Sequence, residues 1–139
     1  SHLAKRERSQ AIWQGSLAKI MVEDFRLSQR PEILREAEQV ILGALGLCRR
    51  LGFRASEAAN LDNLAQLHKT RSDSKSAIAL WSLSHALWSE LQSPYAKNVQ
   101  VMLENELESV SPLQMEELSR TGSELLLKVT GHPYQYAPR

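Results

Sequence analysis

Ala37-x-x-Val40-Ile41-x-x-Ala44-x-x-Leu47-Cys48-x-x-Leu51 and Ala77-x-x-Leu80-Trp81-x-x-Ser84-x-x-Leu87-Trp88-x-x-Leu91 lie forty residues apart and match position by position. Apolar falls on apolar and small on small. The steps of three and four put each set on one face of a helix. A repeat of this length is the mark of stacked helical hairpins, none of which can bury its apolar face alone. Stacks of that kind generally bind other proteins.

Working outward from the repeat, helix-start and helix-stop residues divide the chain into six helices. The first runs from about Leu3 to Leu27, with Trp13, Leu17, Ile20, Met21 and Phe25 as its expected buried face and Gly15 weakening its middle. Pro31 opens the second, because a first-turn N–H would be unpaired anyway, and Gly52 closes it as a left-handed cap. Ser56 is the expected cap of the third helix, which carries Leu61, Leu64, Ala65 and Leu67. Arg71-Ser72-Asp73-Ser74 breaks the pattern and caps the fourth. Ser93-Pro94 and Ser111-Pro112 open the fifth and sixth, and Gly131-His132-Pro133 ends the last near Thr130. Short connections make neighbours antiparallel. The expectation is therefore an all-α, right-handed stack of three antiparallel hairpins, about 3–51, 56–91 and 94–130, with an irregular tail at 132–139. The period extends to the flanking hairpins, with Met21 opposite Leu61 and Val101, and Leu27 opposite Leu67 and Leu107.

The 139 residues make one domain, long enough for a real core. Leu and Ala dominate the apolar set, in keeping with helices. Net charge is +1, which gives no overall pull toward nucleic acid. Residues 1–55 nevertheless carry +4 and residues 56–139 carry −3, so the surface is polarised along the chain. One cysteine, Cys48, excludes an internal disulfide, no apolar run reaches membrane-spanning length, and no signal peptide is seen. These point to the cytoplasm. Ser1-His2 reads as a cloning remnant and the chain as a piece of a longer protein.

The middle hairpin resembles a tetratricopeptide repeat over about thirty-four residues. Leu61, Leu64 and the small Ala65 stand where that family places a large apolar residue, a leucine and a small residue in its first helix. Ala77, Trp81 and Ser84 supply the small–aromatic–small series of the second. His68 stands in place of an aromatic, Ser72-Asp73-Ser74 in place of the usual turn, and the period is six residues longer than the family's. The resemblance implies a tetratricopeptide-like solenoid whose first helices line a concave groove for a partner peptide. On this chain it implies Asp62, Asn63, Gln66 and Lys69 as groove residues, and forty residues on Met102, Leu103, Glu106 and Ser109. Some family members grip a C-terminal carboxylate with Lys, Arg and Asn; Asp62 and Gln66 stand there instead, which argues against that role.

Asn63 and Gln66 have the donors and acceptors to pair with a peptide backbone. The other candidate chemistries are thin. His2, His68, His85, His132 and Cys48 lack the close pairs of a zinc site, so no metal or cofactor is expected and His68 is read as a packed substitute for an aromatic. Ser84, His85 and Asp62 make a triad only on paper, because adjacent helical residues point about 100° apart. No nucleophile elbow or phosphate loop occurs, so no enzyme is expected. Arg49, Arg50 and Arg54 read as solvated charges favouring a helix C-terminus rather than as a nucleic-acid stripe. Glu104 and Glu108, one turn apart, would suit a basic partner, but calcium-loop spacing is absent. Trp81 is expected in the core. Trp88 shares that face and is read first as core; under the alternative function, self-association, Trp88 or Leu125, Leu126 and Val129 of the sixth helix form the contact, and a helical nucleic-acid-binding domain is a distant third.

Overall fold

A computed structural model of the chain describes residues 2–108, 110, 111 and 124. Within them the chain is all-helical: α1 His2–Ser28, α2 Pro31–Leu51, α3 Arg54–Thr70, α4 Ser74–Glu90 and α5 Tyr95–Leu107. The expected sixth helix, the 132–139 tail and the candidate contact residues Leu125, Leu126 and Val129 lie outside the described residues, as does Ser109. Each helix packs on the next in order, and α1 also packs on α3.

Local signals set the boundaries. Gly52 ends α2 at φ 74°, its N–H on the Cys48 carbonyl. Three other helix ends use the same left-handed turn without glycine, at Gln29, Ser72 and Gln92. Asp73 caps α4 by accepting the Ser76 N–H at 3.2 Å, and the Ser93 hydroxyl accepts the Tyr95 N–H ahead of α5. Ser56 does not cap α3, contrary to expectation. The helix begins at Arg54 behind Phe53, and the Ser56 carbonyl takes the Asn60 amide at 2.9 Å.

The forty-residue match is deepest at three of its pairs, while its last pair, Leu51 and Leu91, is half-buried and exposed. Ala37 and Ala77, Ile41 and Trp81, and Ala44 and Ser84 are all fully buried. Small residues sit where helices cross: the Ser84 hydroxyl donates to the Ala58 carbonyl at 2.9 Å, joining α4 to α3. The match fails at α5, where Val99 is buried and Val101 is exposed. It fails too at α1, whose buried face is Ala11, Gly15, Ala18 and Val22. Trp13 and Ile20, expected inside, stand in solvent, while Leu17, Met21 and Phe25 are half-buried. The reason is steric. A Cβ on Gly15 would come within 3.0 Å of Asn60 Oδ1, so α1 approaches α3 through its smallest residues and turns its largest ones away.

Three arginines expected to be solvated tie helices together instead. Arg49 pairs with the buried Glu57 at 3.0 Å, Arg50 with Glu7 at 2.7 Å, and Arg54 with Glu90. They bind α2 to α3, α2 to α1 and α3 to α4.

Glycines at two kinds of site should respond oppositely to a side chain. Gly15→Val is expected to lower stability by about 1–3 kcal/mol through overpacking against Asn60. Gly43→Ala, with open space around it in α2, should raise stability by about 0.5–1 kcal/mol. Urea unfolding followed by far-UV circular dichroism measures both; equal effects of the two changes would contradict the packing described.

Candidate functional site

The odd-numbered helices enclose a groove. At one end a cleft of about 470 Å³ is walled by Ile12, Ser16 and Lys19 of α1, Ala59, Asn60, Asp62 and Asn63 of α3, Trp88 of α4, and Tyr95, Asn98, Val99 and Met102 of α5. A second hollow of about 270 Å³ lies beside it, lined by Val22, Glu23 and Arg26 of α1 and Gln66 of α3. Lys19, Asp62, Asn63 and Met102 border both. The lining is mainly apolar, with amides and a few charges set into it, the usual make-up of a binding cleft.

Four of the eight residues expected in the groove border these hollows: Asp62, Asn63, Gln66 and Met102. Each of them already makes one hydrogen bond within the fold. Asn63 donates to the Gly15 carbonyl at 3.2 Å. Gln66 donates to the Met102 sulfur at 3.3 Å, and Asp62 accepts the Trp81 indole N–H at 2.7 Å. Asn63 and Gln66 thus brace α3 against α1 and α5. Lys69 pairs with Glu106 at 2.8 Å, a second tie between α3 and α5, and lies 5.8 Å from the Trp81 ring centre. Leu103 is half-buried against the core.

Residues not anticipated supply the uncommitted part of the lining. Ile12 and Lys19 come from α1. Tyr95 and Asn98 come from the start of α5, where Tyr95 packs on Trp88 with ring centres 5.1 Å apart and planes tilted 45°. Trp88, expected in the core or as a self-contact, therefore stands at the mouth of the groove, half-buried. One signal for the α1 residues was present: a glycine in mid-helix marks a close helix approach, and Ile12 and Lys19 flank Gly15 by one turn each.

Burial tunes the ionisable groups. Asp62 is pushed above its ordinary carboxylate range by burial, only partly offset by the Trp81 N–H and by Lys19. His68 is held below its usual value by burial, against the pull of Asp73 and Glu38. Its Nδ1 lies 3.2 Å from the Asp73 carboxylate, which ties the end of α3 to the cap of α4. Burial and the nearby Glu57 push the Cys48 thiol up to about 11, leaving it protonated and inert at neutral pH. Ser84 and Asp62, two members of the paper triad, are engaged with Ala58 and Trp81. Among the described residues no three His, Cys, Asp or Glu side chains converge on a metal site, and no helix is long and apolar enough to cross a membrane.

No family model, curated protein or solved structure matches the chain.

The Asp62 carboxylate sets a pH dependence. Because its folded pKa is raised, the ionised form costs stability at neutral pH. That cost is relieved as pH falls through the folded pKa and is gone below the ordinary value near 3.8. Asp62→Asn keeps an acceptor for the Trp81 N–H and removes the charge. The variant is expected to be more stable than the parent at pH 7, with the margin shrinking toward pH 4. Urea midpoints at the two pH values measure it; a margin that grew on acidification would reverse the assignment.

Proposed function

We propose that the chain is a non-enzymatic protein-interaction module of the cytoplasm. A peptide or helix of a partner protein is held in the groove of its odd-numbered helices, in a right-handed, tetratricopeptide-like stack of hairpins. The observation that carries this reading is that two hollows lie side by side along α3, bordered in common by Lys19, Asp62, Asn63 and Met102. Its make-up supports the same reading. Trp88 and Tyr95 offer apolar rings, Asn98 an amide for a peptide backbone, and Lys19 a charge for orientation. Asn63 and Gln66 brace the walls, so the groove is formed before a partner arrives and the partner bears most of the ordering cost.

The clean test avoids the bracing residues and changes exposed lining ones. Lys19→Glu and Asn98→Arg are both on exposed positions; Asn98→Arg should leave the unfolding midpoint unchanged, while Lys19→Glu, which sets a like charge near Asp62, should lower it without unfolding the protein under binding conditions. Partners are identified by affinity purification and mass spectrometry, and the binding segment is then titrated as a peptide against Trp88 fluorescence, with Trp88→Phe as the control for the other two tryptophans. Each lining change is expected to weaken binding about tenfold, or about 1.4 kcal/mol. Peptide affinity unaltered by both changes would overturn the groove assignment.

A further inference from the structure

Opposite its buried face, α1 carries a second apolar surface. Trp13, Ile20 and Leu27 are 63%, 66% and 89% exposed. They recur every seventh residue. A straight helix drifts about 20° in seven residues, so the three form one stripe about 40° wide. The half-buried Leu17 borders it. Seven-residue apolar spacing is the pattern by which two helices pack lengthwise on each other. Nothing in α1's own fold requires it, because the buried face of this helix is the separate set of Ala11, Gly15, Ala18 and Val22.

Two charges indicate what covers the stripe. Arg6 and Asp24 are eighteen residues apart, about five whole helical turns, so they lie on the same edge of the stripe, Arg6 seven residues before Trp13 and Asp24 between Ile20 and Leu27. Both are exposed, and among the described residues neither takes part in an ion pair. The symmetry axis of two antiparallel helices carries each edge onto itself and reverses its direction. Arg6 of one copy then meets Asp24 of the other, and the match occurs twice. A parallel pair would set Arg6 level with Arg6 and Asp24 level with Asp24.

We propose that the α1 stripe of Trp13, Ile20 and Leu27 is a dimerisation surface, covered by α1 of a second copy of this chain running antiparallel. Pairing Arg6 with Asp24 centres the two helices on residue 15, so Trp13 of each copy packs against Leu17 of the other and Leu27 against the exposed Leu3. The surface is distinct from the groove, so its failure would leave the peptide-binding reading intact.

Sedimentation equilibrium of the full chain, from micromolar to several hundred micromolar, tests the proposal. The mass is expected to rise with concentration from 15.7 kDa to twice that value. Ile20→Glu, at a position exposed in the single chain, is expected to stay monomeric at every concentration with undiminished helical circular dichroism. Arg6→Glu should weaken the dimer about tenfold, because symmetry doubles the effect of one exposed pair. Adding Asp24→Arg to Arg6→Glu should restore the parent affinity to within about twofold, which a general loss of stability would not do. A parent chain monomeric throughout would overturn the proposal, and so would a dimer indifferent to Ile20→Glu or a charge swap that fails to restore it.

Discussion

Where α1 crosses α3, the absence of a side chain at Gly15 lets two helices approach until Asn60 and Asn63 reach across. Asn63 donates to the Gly15 carbonyl, and Asn60 Oδ1 lies where a Cβ would come within 3.0 Å. The other features of the first hairpin depend on that crossing. It selects Ala11, Gly15, Ala18 and Val22 as the inner face of α1 and so sends Trp13 and Ile20 outward. It also sets the spacing of α1 from α3, and with it the width of the groove they share with α5. A mid-helix glycine costs about 1 kcal/mol of helix propensity relative to alanine; here that cost accompanies a close approach which any side chain would obstruct.

The repeat that reveals the hairpins records packing, and packing is what it read correctly. Ala37 with Ala77 and Ala44 with Ser84 are small because helices cross there, so their recurrence translates directly into buried positions. The same logic fails at α1, because the repeat was followed through large apolar residues while the crossing is made by small ones. Hydrophobic periodicity weights Trp13 and Ile20 heavily and gives Gly15 and Ala18 almost no weight. Those two decide which face turns inward, since backbone approach depends on the smallest side chains present. At α5 the repeat places Val101 inward and the structure places Val99 there, a shift of two residues that no local signal in the helix announces.

The groove was legible by position and not by chemistry. Asp62, Asn63, Gln66 and Met102 are implied by the resemblance to a tetratricopeptide repeat, and they border the two hollows. That Asn63 and Gln66 hold the walls depends on the Gly15 carbonyl and the Met102 sulfur, each at least thirty-six residues away in sequence. The arginines follow the same rule. Arg49, Arg50 and Arg54 form a basic cluster when read along the chain and three interhelical ion pairs in the fold. Burial changes their meaning further. Glu57 is almost wholly enclosed, so losing the Arg49 pair would cost more than losing an exposed pair such as Arg30–Glu32.

The faces of α1 also constrain each other. Counted around the helix, the core face is followed about a quarter-turn later by the groove face of Ile12 and Lys19, and half a turn from the core by the Trp13, Ile20 and Leu27 stripe. Arg6 and Asp24 lie beyond the stripe, on the edge away from the groove. The symmetry axis of an antiparallel α1 pair runs along that edge direction. It would therefore leave both grooves opening on the same side and both sets of charge pairs on the other. Such a pair would present two parallel-facing grooves without covering either. A partner with two binding segments could then engage both at once, with a gain set by effective concentration rather than by new contacts. The side chains that face away from the core of α1 would in that way determine the valency of the module, while the small residues facing the core determine the shape of each groove.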